Sequence, residues 1–334
     1  MDGSSISVFK TCKNFMSRHF RAQPYRILVF AVAAGFSVSL SAQQPTWQPA
    51  AGNLTLPLWP GAPPGARPNP PAEFGTFTEK NSWIAGRPVL IESNVSTPTI
   101  TIYSPRSDDS AAKNSQAAIV VFPGGGYNIL AIDLEGTEVC RWLNSMGVAC
   151  VLLKYRVPNS GPYPKFAAAL QDAQRAVGMV RYHSPEWHID PNRVGVLGFS
   201  AGGHLAAAIS NHFEQRLYDP VDVADDLSCR PDFAVLVYPA YLTIEDHDFA
   251  PNPELHPTAN TPRTFIVQTE NDPVHVENAL VYYRELKNAK VPAELHIYAQ
   301  GGHGYGLRPT ALPVTTWPAS VETWLRTTKV LPPK

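Results

Sequence analysis

The sequence predicts a mostly parallel α/β sheet covered by helices on both faces. Three observations lead there. Apolar runs of strand length alternate with longer amphipathic stretches from residue 118 onward. The runs AIVVF and VGVLGF are apolar throughout, as in strands buried on both faces. Glycine-rich turns stand directly after several of them. A chain of 334 residues, 44% hydrophobic and 16% charged, suits a folded protein built around one sheet. A net charge of −1 gives no reason to expect nucleic acid or an anionic membrane as a partner.

Residues 1–42 read as a secretory signal. Lys10, Lys13, Arg18, Arg21 and Arg26 precede the apolar run Ile27–Leu40, and the small residues Ser41 and Ala42 follow. The run is shorter than the roughly 20 residues a membrane-spanning helix needs, although an uncleaved anchor is the alternative. Met16 as the start would give a signal of ordinary length. Cleavage after Ala42 would make the protein secreted or periplasmic, with no stable membrane association. Three cysteines would remain: Cys140, Cys150 and Cys229. Cys140 and Cys150 sit in apolar stretches and read as buried thiols, with a bridge between them as the alternative. None has metal-site spacing.

Residues 43–116 form an N-terminal arm and the first strands. PLWPGAPPGARPNPPA at 57–72 is too rich in Pro and Gly for a helix or a central strand. The polar stretch 106–116 is a loop. Residues 117–334 form the core. Strands are expected at Ala118–Phe122, Val148–Lys154, Val194–Phe199, Ala234–Tyr238, Thr264–Thr269 and Glu294–Tyr298. Helices are expected at Glu135–Met146, Phe166–His183, directly after Phe199, at Asn278–Asn288 and at Ala319–Thr327. The irregular segment Pro239–Pro262 reads as a lid or substrate wall, or equally as an inert insertion.

The chemistry concentrates at strand ends, where such sheets carry their reactive groups. Gly198-Phe199-Ser200-Ala201-Gly202-Gly203 fits GxSxG, a sharp strand-to-helix turn with serine at its apex and no room for flanking side chains. Ser200 is the candidate nucleophile. Pro123-Gly124-Gly125-Gly126-Tyr127 follows the strand AIVVF and leaves backbone N–H groups open to a developing oxyanion. The candidate donors are Gly125, Gly126 and Ala201, and Tyr127 is expected beside them as a substrate-binding wall that favours short acyl groups. Serine needs a base. His303, in GGHGYG after the strand ELHIY, is the candidate; His204 starts a helix and reads as packing. Asp272, after TFIVQT, is the candidate acid, preferred over Glu270 and over Asp246 and Asp248 in the long loop.

The segments LPLWPGAPPGA, VFPGGGYNILA, LLKYRVP, DPNRVGVLGFSAGGHLAAA, DLSCRPDFAVLVYPAY, QTENDPVHVENALVYYREL and YAQGGHGYGL are spread along nearly all of the chain after the expected signal segment. In them the sequence resembles bacterial α/β-hydrolase serine esterases of the acetylxylan esterase-like and feruloyl esterase-like kind. The order Ser, Asp, His is also that of α/β-hydrolases. The resemblance implies a single-domain α/β-hydrolase fold, a Ser200–Asp272–His303 triad and an oxyanion loop at Gly124–Gly126. It implies hydrolysis of short acyl or feruloyl esters on plant polysaccharides, without cofactor or metal. It departs from hormone-sensitive-lipase-like esterases at Pro123, where those have His, and from dienelactone hydrolases at Ser200, where those have Cys. A general short-chain carboxylesterase or small peptidase is the alternative within enzymes. A catalytically dead binding protein is the alternative outside them.

Overall fold

A computed structural model describes residues 46–105, 115–158 and 166–333. The expected signal segment 1–42 lies outside the described residues, as does most of the expected loop 106–116.

Among the described residues, eight strands form the main sheet: β1 Leu54–Pro57, β2 Thr99–Tyr103, β3 Ala118–Phe122, β4 Ala149–Lys154, β5 Val194–Phe199, β6 Phe233–Val237, β7 Arg263–Thr269 and β8 Ala293–Tyr298. Their spatial order is β1-β2-β4-β3-β5-β6-β7-β8. The first two strands pair antiparallel, and every pairing from β4 to β8 is parallel. The N-terminal arm is therefore continuous with the core sheet and supplies its outer strand. Among the described residues, five α-helices accompany the sheet: α1 Glu138–Ser145, α2 Ala167–Tyr182, α3 Ala201–Asn211, α4 Glu277–Asn288 and α5 Trp317–Thr327.

The apolar runs divide between two cores by the two-residue period of a strand. In β3, Ala118, Val120 and Phe122 join the core beneath α2, α3 and α4. Ile119 and Val121 join the opposite core, built with Val139 and Leu143 of α1 and with Trp317, Val321 and Trp324 of α5. Both faces of the sheet are thus buried at β3, which is why AIVVF carries no polar residue. Trp317 is 1% exposed, and truncating so large a buried side chain costs about 3–5 kcal/mol.

Two expectations change. The helix expected over Glu135–Met146 is divided: a π-helical turn at Asp133–Thr137 precedes α1. The wider turn accompanies an inward-facing Glu135, whose carboxylate is held by Gly124 and Tyr238. Cys140 of α1 and Cys150 of β4 form a disulfide, which overturns the buried-thiol reading. Apolar surroundings did not exclude a bridge because Val139 and Leu143 bring that face of α1 onto the strand. Cys229 is a free, buried thiol. Among the described residues, no helix is long and apolar enough to cross a membrane.

Candidate active site

The sheet brings four loops together at the carboxyl ends of β3, β5, β7 and β8. The first is the turn from β5 to α3. Ser200 sits there with φ 52° and ψ −118°, a backbone region costly for a non-glycine residue. The turn is held by the Ser200 N–H donating to Val237 O at 3.0 Å, while Ser200 O accepts from the N–H groups of His204 and Ala240. The flanking glycines are steric necessities. A Cβ at Gly198 would collide with the Gly202 carbonyl, and one at Gly202 with the Phe122 carbonyl.

The second loop follows β8. Gly302 and Gly304 have φ of 65° and 71°, and His303 stands between them. Asn271 Oδ1 accepts the N–H groups of Gly301 and Gly302 at 3.0 and 2.9 Å, and Thr269 Oγ1 donates to Gly302 O at 2.7 Å. His303 Nε2 lies 2.8 Å from Ser200 Oγ, and its Nδ1 lies 2.8 Å from Asp272 Oδ2. With the proton on Nδ1, Nε2 is free to accept the serine hydroxyl proton. The ring rests edge to face on Tyr238, centroids 4.9 Å apart.

The third loop follows β7 and carries Asp272, which is 5% exposed. Its Oδ1 accepts the Val274 N–H at 2.7 Å, and its Oδ2 accepts Gln268 Nε2 at 3.1 Å as well as the imidazole. Glu270 is exposed, as are Asp246 and Asp248. The structure therefore brings Ser200, His303 and Asp272 into one hydrogen-bonded line and leaves the other acids outside it.

The glycine loop after β3 stands over the serine. A Cβ at Gly124 would lie 2.9 Å from Ser200 Cβ, and one at Gly125 would strike the Ile129 carbonyl. Gly125 and Gly126 have φ of 134° and 62°. Among the described residues, the N–H groups of Gly125, Gly126 and Ala201 donate to no protein acceptor. Ala201 is also the first residue of α3, whose N-terminal dipole faces the same space.

Tyr127 requires a correction. It is 6% exposed, with its hydroxyl 2.7 Å from His204 Nδ1 and its ring stacked against Phe166 and Tyr241. It belongs to the core beneath the site and does not form a substrate wall. Its φ of 59° turns the side chain inward from the loop. The exposed aromatic beside the loop is Tyr241, 48% exposed, its hydroxyl 3.6 Å from where a Cβ on Gly126 would lie. His204 is buried, and burial lowers its pKa to about 3, so it stays neutral.

Sequence reasoning missed Glu135, Tyr238, Gln268 and Asn271. An acid within the otherwise apolar stretch ILAIDLEG, where Asp133 is the other, was the available signal for Glu135; Gln268, inside β7, had a similar one. The segment Pro239–Pro262 contains a short antiparallel pair, Thr243–Ile244 with Ala250–Pro251. It is tied to α4 by Asn278 Oδ1, which accepts the N–H groups of Leu242 and Thr243.

Comparison with known proteins matches residues 119–257 to the family described as having the α/β hydrolase fold. The chain is similar to a solved acetyl ester-xyloside bifunctional hydrolase from Caldicellulosiruptor lactoaceticus, with 34% identity and a TM-score of 0.64. That match covers 87% of this chain and 100% of the other. The chain belongs to the α/β-hydrolase family. It is also 33% identical over 216 residues to an acetylxylan esterase of Xylanibacter ruminicola, covering 58% of this chain and 42% of that protein. With the endo-1,4-beta-xylanase B of Butyrivibrio fibrisolvens it shares 30% identity over 205 residues, 56% of this chain and 32% of that protein. The chain thus spans less than half the length of these two curated relatives.

Proposed function

We propose that the protein is an exported serine carboxylesterase that removes short acyl groups, acetyl foremost, from plant polysaccharides. The observation that carries this reading is the line Ser200–His303–Asp272, at 2.8 Å for each hydrogen bond, beneath three backbone N–H groups with no protein acceptor among the described residues. Ser200 Oγ attacks the ester carbonyl as His303 Nε2 takes its proton. The tetrahedral oxyanion is received by the N–H groups of Gly125, Gly126 and Ala201. Collapse breaks the bond to the sugar oxygen, which takes the proton back from His303. Water then repeats the sequence on the acyl-enzyme, releasing the acid and restoring Ser200. Asp272 holds the imidazole in the required tautomer and supports its positive form.

The polysaccharide substrate is inferred from relatives named for acetylxylan and acetyl ester hydrolysis. With Tyr127 in the core, the preference for short acyl groups rests on those relatives. Export is inferred from the basic and apolar segment before Gln43, and the Cys140–Cys150 disulfide supports it, since such bonds persist in oxidising compartments. Feruloyl esters are a second reading, favoured by the exposed ring of Tyr241 close to Gly126. The test is labelling by a fluorophosphonate probe, followed by kcat/KM across a nitrophenyl ester series and acetate and ferulate release from xylan. Acetyl esters are expected to lead. A maximum at octanoyl would overturn the short-acyl reading, and absence of labelling would overturn the serine mechanism.

A further inference from the structure

Glu135 is a carboxylate 4% exposed, placed behind the glycine loop. Its Oε2 accepts the Gly124 N–H at 2.6 Å, and its Oε1 accepts the Tyr238 hydroxyl at 2.7 Å. Tyr238 Oη in turn accepts the Gly306 N–H at 3.2 Å, and the Tyr238 ring supports His303. One carboxylate therefore links the loop over the nucleophile with the loop that carries the base. Gly124 is sandwiched: a Cβ there would lie 2.7 Å from Glu135 Oε2 on one side and 2.9 Å from Ser200 Cβ on the other.

Burial raises the pKa of Glu135, while the Tyr238 and Gly124 hydrogen bonds and the nearby His303 draw it back. Both oxygens meet donors, which suits the ionised form. A buried carboxylate answered by neutral donors is an expensive choice for mere packing. Its bond also selects which N–H groups stay open. Gly124 is occupied, and Gly125 and Gly126 are left without a protein acceptor among the described residues.

We propose that Glu135 is a positioning residue that fixes the glycine loop in its oxyanion-binding conformation and braces it against His303. This rests on the esterase reading of Ser200, His303 and Asp272. The experiment compares Glu135→Gln and Glu135→Ala with the unaltered protein. Three quantities are measured: kcat and KM on p-nitrophenyl acetate, affinity for phenylboronic acid, which forms a tetrahedral adduct with an activated serine, and amide exchange across residues 124–131. The alanine variant is expected to lose about 100-fold in kcat, the scale of a lost oxyanion donor, with KM within about threefold. Its boronate affinity should fall in parallel and its loop amides should exchange faster. The near-isosteric glutamine variant keeps one acceptor oxygen and should lose about tenfold, and it covers the case in which the alanine variant folds poorly. A kcat within about threefold of the unaltered protein in the alanine variant would overturn the proposal. So would a loss that follows only the folded fraction, with boronate affinity intact. If the unaltered protein hydrolyses no ester, the reading of Ser200 fails by itself. Loop exchange still tests Glu135, and unchanged exchange in the alanine variant would count against it.

Discussion

Asp172 on α2 and Asp272 after β7 are both buried carboxylates, 0% and 5% exposed, yet they are answered in opposite ways. Asp172 receives Arg156 Nε at 3.0 and 2.9 Å, the Arg156 backbone N–H at 3.0 Å and Trp59 Nε1 at 2.8 Å. Arg156 extends the clamp to the carbonyls of Pro64 and Ala168, so the Pro-rich arm is fastened to α2 through this ion pair. Asp272 has a backbone N–H, a glutamine amide and an imidazole. A guanidinium stays charged at every working pH, whereas an imidazole becomes a cation only on taking a proton. The first arrangement holds a structure still. In the mechanism proposed above, the second supports the imidazole when Ser200 gives up its proton.

Removing the nucleophile that this support serves should have the largest effect. Ser200→Ala is expected to lower kcat by about six decades while the protein stays folded, since the elbow accepts alanine. Activity within tenfold of the unaltered protein, in a preparation free of host esterase, would sink the assignment. Asp272→Asn should cost about four decades, because asparagine favours the wrong tautomer and removes support from the imidazolium. Glu270→Gln, at an exposed position two residues away, should stay within about threefold in the same assay. A larger loss from Glu270→Gln than from Asp272→Asn would reverse the choice of acid.

The matching change in the other acid should act on stability. Asp172→Asn leaves Arg156 buried without its counter-charge, and breaking such a pair costs about 3–5 kcal/mol. The expected result is a lower urea midpoint with kcat per folded molecule within about threefold. A four-decade loss of kcat without loss of stability would erase the distinction between the two acids.

Much of this was legible in the sequence because it depends on backbone needs that only particular residues meet. Gly198 and Gly202 are dictated by carbonyls in direct contact, so Ser200 could be read from spacing and context. The strands were legible because β3 and β5 are buried on both faces. Side-chain direction was not legible. Tyr127 follows the glycine loop in sequence yet is buried in the core, because its φ of 59° is a property of the folded loop. Glu135 reads as the start of a helix until the π-helical turn places its carboxylate against Gly124. The Cys140–Cys150 bridge was open for a similar reason: separation in sequence says nothing of which face of α1 meets β4.

His204 extends the comparison to a buried group whose charge goes unanswered. It is 2% exposed and hydrogen-bonded to Tyr127, and burial lowers its pKa from the ordinary 6.5 to about 3. The unfolded chain binds a proton here below about pH 6.5, while the native protein does so only near pH 3. The stability contributed by neutral His204 is therefore fully present above about pH 6.5 and is lost as pH falls through that window. The slope approaches about 1.4 kcal/mol per pH unit. Buried carboxylates with raised pKa, Glu135 and Asp172 among them, act in the opposite direction, so the slope of the unaltered protein is a mixture. A difference isolates the histidine. His204→Gln loses its hydrogen-bond geometry equally at both pH values and does not titrate. Between pH 7 and pH 5.5 the unaltered protein should lose about 1 kcal/mol more stability than this variant, measured by urea unfolding. Equal losses in the two proteins would mean that His204 takes up its proton in the native state as readily as in the unfolded chain, and that its burial does not govern its charge.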